Sequence, residues 1–297
     1  MQGLLADRVA IVTGAGRGLG RAHALALARH GAQVLVNDLD AAAAEEVCRE
    51  IAGLGGEALA DCASVQDSPA VERMAAAALG RWGRVDILVN NAGILRDRTF
   101  AKLDPADFRL VMDVHLMGSV NCTRAVWPHM KERGYGRVVL TTSSSGLYGN
   151  FGQTAYSAAK MALVGLMQTL ALEGQRYGIR VNCLAPSAAT QMTGALWSSE
   201  ELTALDPQRV SPAVVALASE GAPSKCILLA GAGSFKLAHI TMTRGIYLPD
   251  ERQAAEQILQ QWDRIADGSG ELVPASGFEQ YRFEVAQARE HSPRAAS

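Results

Sequence analysis

Short apolar, β-branched runs alternate along the chain with longer segments whose apolar positions recur at helical spacing. The runs fall at residues 8–13, 33–37, 57–61, 86–89, 137–142, 179–184 and 226–230. Between them, 19–30, 41–54, 70–82, 108–130 and 155–177 read as helices. Strands that are apolar throughout and that alternate with helices imply a parallel sheet covered on both faces. The expected fold is therefore α/β, a doubly wound sheet of seven parallel strands. Two helices are apolar nearly all round. In 155–172, Ala158, Ala159, Met161, Ala162, Leu163, Val164, Leu166 and Met167 leave little polar face, and 108–130 is similar. A helix of that kind is buried on more than one side. The 108–130 and 155–177 helices are thus expected to form the interface of a homodimer or homotetramer.

No repeat, low-complexity block or linker divides the chain, so one domain is expected over 1–240 with an extension over 241–297. Residues 244–248 read as extended and 250–267 as a helix. Ile258, Leu259, Trp262 and Ile265 make an apolar stripe on that helix. A short helix with no core of its own is marginal in water, so the extension is expected to dock on the body or on a neighbouring subunit. A frayed tail is expected from about residue 290, as at most chain ends.

Composition narrows the function classes. Of 297 residues, 48% are apolar and 20% charged, and the net charge is −2. No basic field argues for nucleic acid. No unbroken apolar run of about 18 residues argues for a membrane span. The N-terminus lacks the charged-then-apolar pattern of a signal peptide, and the chain does not end in the Ser-Lys-Leu address. Five widely spaced cysteines without CxxC pairs read as free thiols of a reducing cytoplasm. The histidines form no metal-binding spacing, so no metal is expected.

The candidate chemistry lies where strands end. Thr13-Gly14-Ala15-Gly16-Arg17-Gly18-Leu19-Gly20 follows the first strand and opens the first helix. Its spacing is GxxxGxG, and backbone N–H groups at such a helix start suit a pyrophosphate. Asp38 ends the second strand, where an acid accepts both adenosine ribose hydroxyls and repels a 2′-phosphate. That favours NAD over NADP, with Arg17 as a counter-indication. Asn90-Asn91-Ala92-Gly93 follows the fourth strand, Ser143 the fifth and Pro186 the sixth. Tyr156 and Lys160 open the next helix at i and i+4, on one face. A phenol beside an ammonium and a cationic nicotinamide is a plausible general base toward a substrate alcohol.

Together, TGxxxGxG, NNAG, the serine, YxxxK and the proline resemble the short-chain dehydrogenase/reductase family over about residues 5–235. The resemblance implies a Rossmann-like domain, a nicotinamide cofactor and oxidation or reduction at a carbinol carbon. It implies Tyr156 as acid/base and Lys160 lowering its pKa and binding the nicotinamide ribose. Ser143 would orient the substrate oxygen, and Asn90 would support the sheet beside the cofactor. His115 stands where the family usually has a catalytic Asn. The implied cofactor cleft takes in Gly14, Arg17, Gly18, Leu19, Gly20, Asp38, Asp61, Cys62, Asn90, Ala92, Gly93, Tyr156, Lys160, Pro186 and Ala188.

Residues 90–100, 114–119, 146–160 and 185–193 resemble one branch of that family more closely. It comprises the (3R)-hydroxyacyl-CoA dehydrogenase parts of peroxisomal multifunctional enzymes and their 17β-hydroxysteroid-oxidising relatives, and it also carries His in the segment holding His115. The arginine-rich composition and the lack of a following hydratase or carrier domain suggest a stand-alone bacterial relative. The implied reaction is NAD-dependent oxidation of a (3R)-3-hydroxyacyl-CoA. A hydroxysteroid is the alternative substrate, with Met192, Leu196, Trp197 and Leu202 lining its pocket. An NADPH-dependent 3-oxoacyl reductase is disfavoured by Asp38, and a catalytically silent NAD-binding protein by the intact Tyr156 and Lys160. Arg96, Arg98 and Lys102 either meet CoA phosphates or form a solvated basic loop.

Overall fold

The computed structural model describes residues 3–189 and 198–291. Met192, Leu196 and Trp197, three of the four expected pocket residues, and the tail beyond His291 lie outside the described residues, while Leu202 is exposed on a short helix. The chain divides into two units, one ending at Ala238 and one beginning at His239.

The first unit begins β1 (Val9–Thr13), α1 (Gly18–Arg29), β2 (Gln33–Asn37), α2 (Ala41–Gly53), β3 (Ala58–Asp61) and α3 (Ser68–Trp82). It continues β4 (Ile87–Asn90), α4 (Pro105–Met112), a π-helical turn (Asp113–Met117), α5 (Gly118–Arg133), β5 (Gly136–Thr141) and α6 (Ser144–Tyr148). α7 (Thr154–Gly174), β6 (Ile179–Ser187), α8 (Ser199–Ala204), α9 (Ser211–Ala218), β7 (Ile227–Gly231) and β8 (Ser234–Ala238) complete it. Local chemistry sets these boundaries. The carboxylates of Asp40, Asp67 and Asp104 cap α2, α3 and α4 by accepting from Ala43, Ala70 and Ala106 N–H. Gly134, at φ 63°, ends α5 in the left-handed conformation.

The strands lie in the order β3-β2-β1-β4-β5-β6-β7-β8. The order reverses between β1 and β4, and a doubly wound sheet opens its ligand crevice at the carboxyl ends of such neighbours. Register aligns those ends: Thr13 pairs with Asn37, Val12 with Val89 and Asn90 with Leu140. One face of the sheet packs on α1, α2 and α9 through Val12, Val34, Leu27, Val47 and Val214. The other packs on α3, α5 and α7 through Ile11, Leu88, Met74, Val126 and Leu163. Each fully buried side chain of this size contributes about 1.5–3 kcal/mol.

Three expectations need correction. The sheet has eight strands, not seven, and the last is antiparallel. Ala232 and Gly233 take φ of 51° and 76°, which makes the tight hairpin between β7 and β8. Phe235 and Leu237 of β8 are about half exposed, so burial does not impose an apolar/polar alternation on this edge strand. Second, the single helix expected over 108–130 is interrupted. Gly118 N–H bonds back to Asp113 O across the π turn, inserting one residue into the helical ladder at His115. Third, the helix expected over 250–267 is broken into α10 (Ala254–Gln260) and α11 (Trp262–Ile265), and a further helix, α12 (Gly277–His291), follows. Polar, exposed residues dominate α12, which leaves no periodicity to read.

Within the second unit, Met242 pairs with Leu272, Thr243 Oγ1 donates to Ile265 O at 2.7 Å, and Gln287 Nε2 donates to Arg244 O at 3.1 Å. None of its described residues is fully buried, and Leu259, Trp262, Phe278 and Tyr281 are exposed.

The stretch Thr154–Tyr177 is long and apolar enough to cross a membrane. Here its Leu163, Val164, Met167 and Ala171 are buried against the sheet, and its Lys160 is buried beneath Thr141.

Candidate active site

The glycine loop owes its form to close backbone approaches. Gly14 has φ +60°, and a Cβ on Gly20 would stand 2.1 Å from Gly14 O and 2.6 Å from Asn91 Nδ2. Only glycine permits that packing. The loop is tied to β4 by two residues that sequence reading left without a role. Thr13 Oγ1 accepts from Asn91 N–H at 3.0 Å and Ala92 N–H at 3.1 Å. Asn91 Nδ2 donates to Thr13 O at 3.1 Å and Gly14 O at 3.0 Å. The doubled asparagine and the threonine before Gly14 were the available signals.

Asp38 Oδ2 accepts from Gly16 N–H at 2.8 Å, and its Oδ1 accepts from Asp40 N–H at 3.0 Å. The carboxylate is thereby held at the end of β2 against the loop. Arg17, the counter-indication, is exposed and ion-paired with Asp40. Asp61 Oδ1 accepts from Asn37 Nδ2 at 3.0 Å and Ala63 N–H at 2.8 Å, fixing the end of β3, and Cys62 beside it is exposed. Asn90 is buried and donates to Thr123 Oγ1 at 3.2 Å, which links β4 to α5, while its Oδ1 has no partner among the described residues. Pro186 lies on β6 opposite Ala230, and Ala188 follows that strand. The bare loop, the fixed Asp38 and the carboxyl-end placement together fit a dinucleotide.

Ser143, Tyr156, Lys160 and His115 come together beside this cleft. Ser143 caps α6, and its Oγ accepts from Ser145 N–H at 3.1 Å. The Ser143 hydroxyl lies near enough to the Tyr156 phenol to favour its charged form. Lys160 is buried, and its Nζ donates to Thr141 O at 2.5 Å and lies 5.5 Å from the Tyr156 ring centroid. The imidazole of His115 meets the Tyr156 ring edge-on at 5.2 Å. Its Nε2 stands 3.1 Å from Ile94 N and 2.8 Å from Ile94 O. Its Nδ1 is buried without a partner among the described residues.

Electrostatics depart from one expectation. Burial raises the Tyr156 phenol above its usual value; the Ser143 hydrogen bond offsets this and the Asp97 charge adds to it. Burial brings Lys160 itself down to about 7, which weakens its standing as a fixed cation. Burial likewise lowers His115 to about 3, so its imidazole is neutral. The basic loop is largely self-satisfied: Arg96 pairs with Asp107 at 3.4 Å, and Arg98 Nη1 donates to Asp97 O at 2.9 Å.

Comparison with known proteins agrees with this geometry. The short chain dehydrogenase family model matches residues 8–201. Over 90% of this chain, "Putative short-chain type dehydrogenase/reductase Rv0148" of Mycobacterium tuberculosis is 44% identical, with 96% of that protein covered. Mouse peroxisomal multifunctional enzyme type 2 is 42% identical over 90% of this chain, which spans only 38% of that enzyme. A 7α-hydroxysteroid dehydrogenase solved with NADH and 7-oxo glycochenodeoxycholic acid superposes with a TM-score of 0.73 at 32% identity, covering 78% of this chain and 96% of its own. With its glycine loop, its Tyr156–Lys160 pair and a family match over most of its length, this chain belongs to the short-chain dehydrogenase family of oxidoreductases.

Proposed function

We propose that this protein oxidises the secondary alcohol of a (3R)-3-hydroxyacyl-CoA to the ketone with NAD. The observation that carries the reading is the gathering of Ser143, Tyr156 and buried Lys160 at the carboxyl ends of the sheet, with Lys160 Nζ bonded to Thr141 O and 5.5 Å from the Tyr156 ring centroid. The substrate oxygen takes up a position between the two hydroxyls. Ser143 holds it by a hydrogen bond, and the Tyr156 phenolate oxygen takes its proton. A nicotinamide bound along the glycine loop supplies the acceptor for the hydride that leaves the carbinol carbon. Asp38 holds the adenosine ribose hydroxyls and disfavours a 2′-phosphate, which supports NAD over NADP. Asn90 keeps β4 in register beside the cofactor, Lys160 holds the nicotinamide ribose, and His115 fixes the Ile94 backbone.

The acyl-CoA substrate rests on the branch resemblance of residues 90–100, 114–119 and 146–160, together with similarity to the multifunctional enzymes. Incubation with NAD and racemic 3-hydroxyacyl-CoA is expected to form NADH with loss of the R isomer. No NADH, or consumption of the S isomer alone, contradicts the reading. The likeness to a hydroxysteroid dehydrogenase favours a second substrate class, a hydroxysteroid. A higher kcat/KM for steroids than for acyl-CoAs would decide for it.

The same reading includes a cytoplasmic homodimer or homotetramer built on the α4–α5 and α7 helices. Met117, Met161 and Leu172 stay exposed there, which supports such an interface. It also includes docking of the 241–297 extension, which has no core of its own among its described residues. Sedimentation of the full chain and of one truncated after 249 tests both: a monomer in the first case, or unchanged assembly and activity in the second, contradicts them.

A further inference from the structure

Gln153 stands one residue before α7, and its side chain reaches in two directions. Its Nε2 donates to Asp97 Oδ2 at 2.7 Å, and its Oε1 accepts from Ser145 Oγ at 2.8 Å. Asn150 Nδ2 donates to the same Ser145 oxygen at 2.8 Å and to Gln153 Oε1 at 3.3 Å. The proton of Ser145 is thus directed to Gln153 while a lone pair is taken by Asn150. Ser145 in turn sets Ser143, since its N–H donates to Ser143 Oγ at 3.1 Å. That bond fills one acceptor position on Ser143 Oγ and leaves its proton for an oxygen beside Tyr156. The backbone runs alongside: Arg98 N–H donates to Gly152 O at 2.9 Å, and Arg98 bridges to Gln153. One amide therefore joins the loop after β4, the serine turn of α6 and the start of the helix that carries Tyr156.

We propose that Gln153 is a positioning residue for the alcohol oxidation: anchored by Asp97, it fixes Ser145 so that Ser143 presents its proton to the oxygen beside Tyr156. The proposal rests on the reading of Ser143 and Tyr156 as the alcohol site. An amide suits the place because it gives a donor to the Asp97 carboxylate and an acceptor to the Ser145 hydroxyl at once. A carboxylate there would face another carboxylate. The groups that face Tyr156 are Ser143 from α6, Asp97 from the β4 loop, neutral His115 from the π turn and Lys160 from its own helix. Asp97 opposes Ser143: its charge disfavours the phenolate, and the serine hydrogen bond favours it.

The test compares wild type with Gln153→Glu, Gln153→Ala, Asp97→Asn and the double variant Asp97→Asn/Gln153→Glu. Each is read by kcat/KM, by thermal melting and by titration of Tyr156 from ultraviolet difference spectra against Tyr156→Phe. Gln153→Glu and Gln153→Ala are expected to lower kcat/KM by about 10–100-fold, the cost of small misplacements at a reacting centre. In both, Tyr156 titrates at higher pH. Asp97→Asn keeps an acceptor for Gln153 but loses the charge, so Tyr156 titrates at lower pH. The double variant exchanges donor and acceptor across the same bond. It is expected to recover to within about threefold of wild type, the coupling expected of touching residues. A Tyr156 titration unchanged in both Gln153 variants overturns the proposal. So does a folded double variant no better than Gln153→Glu. Wild type inactive on hydroxyacyl-CoAs and steroids refutes the functional reading instead, while the titration, which needs no substrate, still decides for or against Gln153.

Discussion

A Cβ placed on Gly93 would stand 2.3 Å from Cε1 of His115, so the imidazole occupies the space that a side chain at position 93 would need. The contact matters because His115 Nε2 faces both the N–H and the C=O of Ile94. A single ring nitrogen can donate to one or accept from the other, not both, whereas a carboxamide can do both. Gly93→Ala is expected to displace the ring, destabilise the fold by about 1–3 kcal/mol as overpacking does, and lower kcat. Denaturant unfolding and steady-state rates check it. His115→Asn is expected to hold kcat within about threefold, since the amide keeps the Ile94 contacts, and His115→Ala to lose more than about tenfold from backbone misplacement. Equal rates for the two substitutions would contradict this role.

Cofactor choice is expected to depend on Asp38. Its carboxylate is held by Gly16 N–H, while Arg17 is engaged by Asp40 and brings no free cation to the same spot. Asp38→Ser removes the repulsion toward a 2′-phosphate. The ratio of kcat/KM for NADP over NAD should rise by about tenfold or more, equivalent to about 1.4 kcal/mol. An unchanged ratio would mean that Asp38 does not face the ribose.

Lys160 couples activity to a stability cost that depends on pH. Its ordinary value of 10.5 is brought down to about 7 by burial. Between these values the unfolded chain binds the proton and the folded chain does not, so stability rises with pH across that window. The penalty is complete below about 7 and absent above 10.5. Lys160→Met is therefore expected to lose turnover yet melt higher than wild type near pH 7, with the gain vanishing toward pH 10.5. Melting curves at the two pH values check the sign, and an equal gain at both would contradict it.

Two buried histidines set the acid limit. His23, whose Nδ1 contacts Ser211 Oγ at 2.9 Å between α1 and α9, is lowered from 6.5 to about 3, and His115 behaves alike. Each contributes stability that is present above 6.5 and is lost as pH falls toward 3. His23→Gln should reduce the slope of unfolding free energy against pH near pH 5 by about 1.4 kcal/mol per unit, one proton's worth. Urea unfolding over that range measures it; a slope unchanged by the substitution would place His23 outside this role.

Much of the site was legible because it depends on local backbone form. The glycine loop must open a helix after a strand, and Tyr156 and Lys160 share a face through the helical repeat alone. The edge strand β8 was not legible, since exposure removes the apolar alternation that marks a strand. The π turn at His115 was not legible either: the surrounding segment stays helical in pattern, and one inserted residue hardly disturbs its periodicity.

The alternation of strands and helices, the ends at which chemistry gathers and the identity of the catalytic candidates are all written along the chain. Periodicity and backbone constraints act within a few residues and can be read there. The tertiary structure alone decided that Asp38 meets Gly16, that Arg17 turns to Asp40, and that Gln153 joins Asp97 to Ser145. It also decided that Lys160 is buried enough to weaken its charge. These relations join separate segments that meet only once the sheet is wound, and burial is a property of the packed whole.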